Sequence, residues 1–184
     1  MKFKLITLLA LIISSTSAFA EDAEKPGLLL RMENSLSKTW DSNDYELYVT
    51  LHTWHNRYFY TQEKIDQYNE NPWGGGIGKY RYDEDGDWHA LYAMAFSDSH
   101  SAVQPVVGYG FEKMWRPTEN MRLGAGYTVG LTMRQEIMHY FPFPMIAPIA
   151  SIEYKKFALQ SAYIFGGEGN GNILFTWGRW QLDN

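Results

Sequence analysis

The stretch "RLGAGYTVGLTMR", Arg122 to Arg134, decides the fold. In an extended chain Leu123, Ala125, Tyr127, Val129, Leu131 and Met133 share one face. Gly124, Gly126, Thr128, Gly130 and Thr132 share the other. The bulky apolar face suits hydrocarbon, and the small face suits a confined interior. "VVGYGFE" repeats the device, with Val107, Tyr109 and Phe111 opposed to Gly108 and Gly110. Glycine weakens a strand interior, so its recurrence marks close approach of another group. Two readings follow: a roomy interior that admits a ligand, or a tightly packed small barrel with glycine at crowded positions. "HALYAMAF" is apolar on both faces. Part of the interior is therefore expected to be apolar, which favours a hydrophobic ligand such as a hydrocarbon chain over a polar channel.

Working outward, the same period-two pattern recurs in eight segments: Tyr45–Tyr60, Trp73–Tyr82, Trp88–Phe96, Pro105–Trp115, Met121–Arg134, Pro144–Tyr154, Phe157–Phe165 and Asn172–Gln181. The connections alternate between long ("TQEKIDQYNENP", "SDSHSAVQ", "QEIMHYFPF", "GGEGNG") and short ("DEDGD", "RPTEN", "YKK"). That asymmetry belongs to outer-membrane barrels, with long outer loops and short periplasmic turns. Ahead of the strands, Leu29, Met32, Leu36 and Trp40 recur at helical spacing within Gly27–Trp40. The expectation is all-β: an eight-stranded antiparallel transmembrane β-barrel over residues 45–181, preceded by an N-terminal amphipathic α-helix over 27–40.

Composition agrees. Residues 1–20 read as an export signal: Lys2 and Lys4, the apolar "LITLLALIIS", then small residues at Ala18 and Ala20 before Glu21. The mature domain is expected to span 21–184. Of 16 Lys+Arg, Lys2 and Lys4 leave with the leader, and the remaining 14 face 21 Asp+Glu for a net charge of -7. No basic footprint for nucleic acid remains. There is no cysteine, so no disulfide braces the domain, and aromatics reach 16%. The five His show no metal-ligand spacing, so no metal is expected. A soluble β-sandwich or lipocalin-like barrel is the alternative that pattern alone leaves open.

Several stretches carry a closer resemblance: "TWHNR" around His55, "YNENPWGGG" (Tyr68–Gly76), "WHALYAMAFSDS" (Trp88–Ser99), "GYGFEKMWRP" (Gly108–Pro117), "PIAS" (Pro148–Ser151) and "NGNILFTWGRWQ" (Asn170–Gln181). In order and spacing, over nearly the whole mature chain, the sequence resembles the outer-membrane lipid A palmitoyltransferases of the PagP type. The resemblance implies transfer of a palmitoyl chain from a phospholipid donor to the lipid A acceptor in the outer membrane of a Gram-negative bacterium. It implies no cofactor. It points to His55, Asp98 and Ser99 as the catalytic residues at the extracellular mouth and to Gly110 as the floor of the acyl-chain pocket. It also points to Pro72 and Pro148 as lateral entry points where the strand ladder breaks. Where family members carry prolines opposite these two, this chain has Thr50 and Phe165, and it ends in "QLDN" rather than on an aromatic. A monomer is expected. The rival class is a non-enzymatic small barrel, structural or a conduit for hydrophobic molecules.

The chemistry sought is acyl transfer: a histidine base, a carboxylate that orients it and a hydroxyl near the ester. His55 is expected to act on a lipid A hydroxyl, with Asp98 orienting it and Ser99 positioning the ester or stabilising the oxyanion. No "GxSxG" elbow is present. The plain reading of Asp98-Ser99 is a loop cap at a strand end. His52 and His100 are the competing histidines. At the opposite rim, a cation–π contact between Arg81 and Trp40 is expected to fasten the helix to the barrel.

Overall fold

The computed structural model describes residues 27–167 and 170–182; the expected leader, residues 1–20, lies outside them, as do Asp183 and Asn184. The strands are β1 (Asp44–His55), β2 (Gly74–Tyr82), β3 (Trp88–Ser97), β4 (Val103–Thr118), β5 (Met121–Thr132), β6 (Phe143–Tyr154), β7 (Phe157–Ile164) and β8 (Ile173–Gln181). They close into one barrel in sequence order, with every neighbour antiparallel and β1 sealing against β8 from Glu46↔Gln181 to His55↔Ile173. Helix α1 (Leu28–Trp40) precedes the barrel, and a single-turn helix α2 (Gln62–Ile65) lies in the β1–β2 loop. Leu182 N–H still donates to Tyr45 O at 2.9 Å, so the final pairing runs into "QLDN".

β1 is shorter than the sequence pattern suggests. It ends at His55 rather than Tyr60, because Asn56 starts a turn. Phe59 N–H bonds to Asn56 O at 2.9 Å, and the Asn56 side chain accepts Tyr58 N–H at 3.0 Å. A polar residue that bonds the backbone two residues on competes with the ladder. β1 also carries a bulge between Thr50 and His52 against β8. Before it Glu46, Tyr48 and Thr50 point inward; after it the buried positions are Thr53 and His55, while His52 is exposed.

The alternation in β5 holds: Gly124, Thr128, Gly130 and Thr132 are buried, and Ala125 and Tyr127 are exposed. The outer surface is an apolar band carrying Val49, Leu51, Ile77, Val107, Ile146, Ile152 and Leu159. Exposed aromatics ring both ends, with Trp54, Trp73, Phe141 and Phe165 by the long loops and Trp115, Tyr154, Phe157 and Trp180 by the short turns. Two aromatic girdles around an apolar band match a bilayer. Among the described residues no helix is long and apolar enough to cross a membrane.

The interior divides into two storeys. Toward the long loops it is apolar, built from Met94, Phe96, Val106, Ala147, Ala162, Phe175 and Trp177. Toward the short turns it is charged. Arg179 is fully buried, 3.3 Å from Glu46 and 3.6 Å from both Glu112 and Glu153. Its guanidinium lies 4.0 Å from the Trp88 ring centroid. Only the upper storey fits the expectation of an apolar interior. The glycine question resolves toward tight packing, at Gly108 and Gly110 among others. A Cβ at Gly110 would meet the Trp88 ring at 2.8 Å, and one at Gly108 would meet the Tyr92 hydroxyl at 2.7 Å.

Helix α1 lies on the outer wall over β2 and β3. Leu36 and Thr39 are buried and Met32 and Ser35 half-buried, while Trp40 is 42% exposed; the side chain of Leu29 lies outside the described set. The buried face is thus more polar than the apolar stripe. Ser35 Oγ sits 2.9 Å from Tyr109 Oη and 3.1 Å from His89 Nδ1. The expected Arg81–Trp40 contact is replaced. Arg81 donates to Thr39 Oγ1 (3.1 Å) and Ser35 Oγ (2.9 Å). The cation over the Trp40 ring is Lys79, at 5.9 Å, which also donates to Trp40 O at 2.8 Å. Arg81 stands one pleat further along β2 and reaches the helix side chains first.

Candidate active site

His55 is the last residue of β1 and is 2% exposed. The bulge at Leu51–His52 turns it inward; unbroken alternation from Glu46 would have sent it outward. Its Nε2 lies 3.0 Å from Ser99 Oγ. Ser99 follows the end of β3 in the β3–β4 loop, so His55 and Ser99 meet across the mouth of the barrel. The imidazole is held between rings, stacked on Tyr68 at 4.8 Å and meeting Tyr60 edge-on at 5.2 Å.

The carboxylate on His55 is not the expected one. Nδ1 is 2.9 Å from Glu70 Oε1, and the same oxygen accepts the His55 backbone N–H at 3.0 Å. Arg57 grips Glu70 with both terminal nitrogens, at 2.6 and 2.8 Å. The Arg57 hydrogen bonds, with those from His55, hold the Glu70 carboxyl down at about 2. Glu70 belongs to a strap tied to both partners: its carbonyl accepts Thr53 N–H of β1 at 2.9 Å, and Asn69 N–H donates to Ser99 O at 2.8 Å. Sequence reasoning assigned this stretch to a loop. No periodicity marks a loop carboxylate, and the only signal was the resemblance of "YNENP" itself.

Asp98 has no hydrogen bond to His55. Its Oδ1 accepts the N–H groups of His100 and Ala102, each at 2.9 Å, and its own N–H donates to Ala102 O at 2.8 Å. Its Oδ2 faces Arg134 Nη2 at 3.8 Å. Asp98 therefore caps the loop that carries Ser99, and the contact expected of it with His55 is made by Glu70. His52 points to the outer surface, and His100 is half-exposed beside Glu136 at 3.6 Å. Asp98, His100 and Glu136 bring one potential ligand atom each within 4.8 Å of one another. Arg134 lies between the two carboxylates and already supplies the positive charge there.

Below this group a cavity of about 120 Å³ descends into the upper storey. Asp98, Ser99 and Arg134 form its rim; Met94, Phe96, Met145, Ala147 and Phe175 form its wall. Tyr92, Thr128 and Trp177 also line it, and Tyr92 Oη is 2.6 Å from Thr128 Oγ1. Gly110 is not among the lining residues; it sits one layer lower, under the Trp88 ring.

The two prolines flank different seams. The β1–β2 ladder stops at Val49↔Gly75, and there the Thr50 hydroxyl lies 3.1 Å from Pro72 O and 3.2 Å from Gly74 O. The β6–β7 ladder stops at Ile149↔Ala162, so Phe143–Pro148 and Tyr163–Ile164 face each other without pairing. Met145, Ala147, Ala162 and Ile164 of this unlaced seam also line the cavity.

Comparison with known proteins agrees with the fold. The family model described as "Antimicrobial peptide resistance and lipid A acylation protein PagP" matches residues 35–179. A "Lipid A acyltransferase PagP" of Laribacter hongkongensis is 57% identical over 157 residues, 85% of this chain and 76% of the relative. One from Yersinia enterocolitica is 52% identical over 172 residues, 92% of this chain and 84% of the relative. One from Pectobacterium atrosepticum is 46% identical over 177 residues, covering 95% and 81%. With a family match across most of the barrel and relatives at this identity, the chain belongs to the PagP family of lipid A acylation proteins.

Proposed function

We propose that the chain is an outer-membrane acyltransferase that moves a palmitoyl chain from a glycerophospholipid to lipid A. The observation that carries this reading is the His55–Ser99 pair, 3.0 Å apart, at the mouth of an apolar cavity inside a barrel with a lipid-facing surface. Lipid A as the acceptor follows the names of the relatives. The apolar cavity supports a phospholipid donor: a hydrocarbon chain placed in it would leave the attached ester at the rim. The site faces outward because the mouth is built by the long loops. A monomer is proposed, and a His55–Ser99–Glu70 group that is complete within one barrel is consistent with it.

The donor enters sideways at the β6–β7 seam beside Pro148, where strands lie unpaired next to the cavity wall. The seam beside Pro72 is bridged by Thr50 and is the narrower entry. Met94 and Met145 adapt the wall to the incoming chain. A lipid A hydroxyl then attacks the ester carbonyl while His55 Nε2 takes its proton. The tetrahedral oxyanion accepts a hydrogen bond from Ser99. Collapse breaks the bond to the glycerol oxygen, which leaves with the proton from His55 as a lysophospholipid. The short His55–Ser99 distance also favours a two-step variant with an acyl-Ser99 intermediate.

The test uses purified barrel in detergent with labelled phosphatidylcholine and lipid A. Wild type transfers acyl chain; His55→Ala and Ser99→Ala lose roughly 10³-fold or more while keeping the barrel's thermal transition. A folded wild type with no transfer would instead support the non-enzymatic barrel. Full activity in both variants would defeat the site. Rapid quenching detects labelled protein only in the two-step route.

A further inference from the structure

The triad-like group at the mouth has a carboxylate that the expected catalytic set does not contain. We propose that Glu70, clamped by Arg57, is a positioning residue of this site: it fixes the His55 tautomer so that Nε2 presents a lone pair to Ser99 and to the acceptor hydroxyl. The inference rests on the acyltransferase reading but is tested apart from it.

The geometry is specific. Glu70 Oε1 is 2.9 Å from His55 Nδ1, which must donate because an ionised carboxylate only accepts. That places the ring proton on Nδ1 and leaves Nε2 to accept from Ser99 Oγ at 3.0 Å. Glu70 is itself fixed by two guanidinium bonds and by the strap joining β1 to the Ser99 loop. A bidentate arginine keeps the carboxylate planar, charged and aimed. During transfer Nε2 gains the hydroxyl proton and the ring becomes cationic; Glu70 is then its counter-charge until the proton passes to the leaving glycerol oxygen. Asp98 cannot share this task in the same pose, because Oδ1 is engaged by two backbone N–H groups and Oδ2 faces Arg134. The other ionisable groups around the imidazole are Tyr60 and Tyr68 against its ring, Arg57 on the far side of Glu70 and His100 beyond Tyr68. None of these offers a second carboxylate to Nδ1.

The experiment compares wild type, Glu70→Gln, Glu70→Asp and Arg57→Lys as folded barrels in detergent. Nitrogen-15 NMR of the imidazole is read without substrate, and kcat, KM and the pH profile are read with phosphatidylcholine and lipid A. Wild type shows His55 protonated on Nδ1. Glu70→Gln lets the amide donate to Nδ1 and moves the ring proton to Nε2. It lowers kcat by about 10³- to 10⁴-fold with KM little changed. Its residual activity has an acidic limb displaced to lower pH, because the imidazolium has lost its counter-charge. Glu70→Asp recovers part of kcat, and Arg57→Lys shows a smaller loss than Glu70→Gln. An Nε2–H tautomer in the wild type would overturn the proposal. So would a folded Glu70→Gln barrel with wild-type kcat and pH profile. Because the tautomer is read without substrate, a barrel that transfers no acyl group defeats the acyltransferase reading while this one is still decided.

Discussion

At the scale of single residues, one extra residue in β1 determines which histidine faces the site. The bulge between Thr50 and His52 shifts the inward phase, so that His52 lies outside and His55 inside. A one-residue slip in a strand turns every later side chain to the other face. Deleting His52 is therefore expected to remove the bulge and leave a regular strand in which Thr53 and His55 still face inward, with transfer retained and the barrel closed; the transfer assay and heat-dependent gel mobility check both halves. The alternation in Gly124–Thr132 was legible because a regular strand has only two faces. The choice of His55 over His52 was not, because a bulge leaves no mark in hydropathy, and only the family likeness pointed to it. Glu70 escaped for a related reason: its role depends on a loop returning to β1. Its depressed titration carries a pH consequence. A carboxylate held down at about 2 contributes its clamp fully above the ordinary carboxylate range and loses it as pH falls toward 2. The His55–Glu70 contact is thus expected to persist at pH 4 and to fail near pH 2, as read from the His55 ring resonances; in Glu70→Gln that acid transition is absent.

At the scale of elements, α1 is held to the wall by polar contacts that its apolar stripe did not announce. Leu36 packs inward as helical spacing requires, but Ser35 and Thr39 on the same face receive Arg81 from β2. Replacing both with Ala leaves the guanidinium beneath the helix without those acceptors. Hydrogen bonds to a charged group contribute about 1.5–3 kcal/mol each. The double variant should therefore melt several degrees lower in thermal unfolding by circular dichroism, with kcat retained. Arg81 and the helix end were correctly associated from sequence; the bonding pattern was not, since it depends on which pleat of β2 lies under which turn. The seams separate in the same way. Thr50→Pro removes the hydroxyl that bridges toward Pro72 O and Gly74 O and deletes a backbone donor. It is expected to loosen the β1–β2 seam and raise the rate of acyl entry without changing chain-length preference, as measured by initial rates with donors of graded length.

At the scale of the whole molecule, the barrel is two devices stacked end to end: an apolar chamber toward the loops and a charged plug toward the turns. The plug sets Arg179 against Glu46, Glu112 and Glu153, with Trp88 lying over the guanidinium. Removing one member of a buried ion cluster costs about 3–5 kcal/mol because the others are left uncompensated. Arg179→Leu should therefore lower the melting temperature more than any variant at the mouth. Gly110 lies at the boundary of the two storeys, where a Cβ would strike Trp88 at 2.8 Å. Gly110→Met is expected to push the indole toward the chamber, shortening the preferred acyl chain and also destabilising the plug; mass spectrometry of the acylated lipid A and a melting curve read the two effects. Eight strands and the helix were visible in hydropathy and likeness, and the likeness pointed to His55 and Ser99, whereas the plug was hidden because its charges are far apart in the chain. The strap from Asn69 to Glu70 has a last consequence, for the life of the chain before it reaches its membrane. His55 and Glu70 are separated by 15 positions and His55 and Ser99 by 44, and β1, the returning loop and the end of β3 must all be paired before they meet. If the chain is the proposed acyltransferase, it therefore carries its reactive groups dispersed and harmless until these three elements pair; that pairing is the arming step.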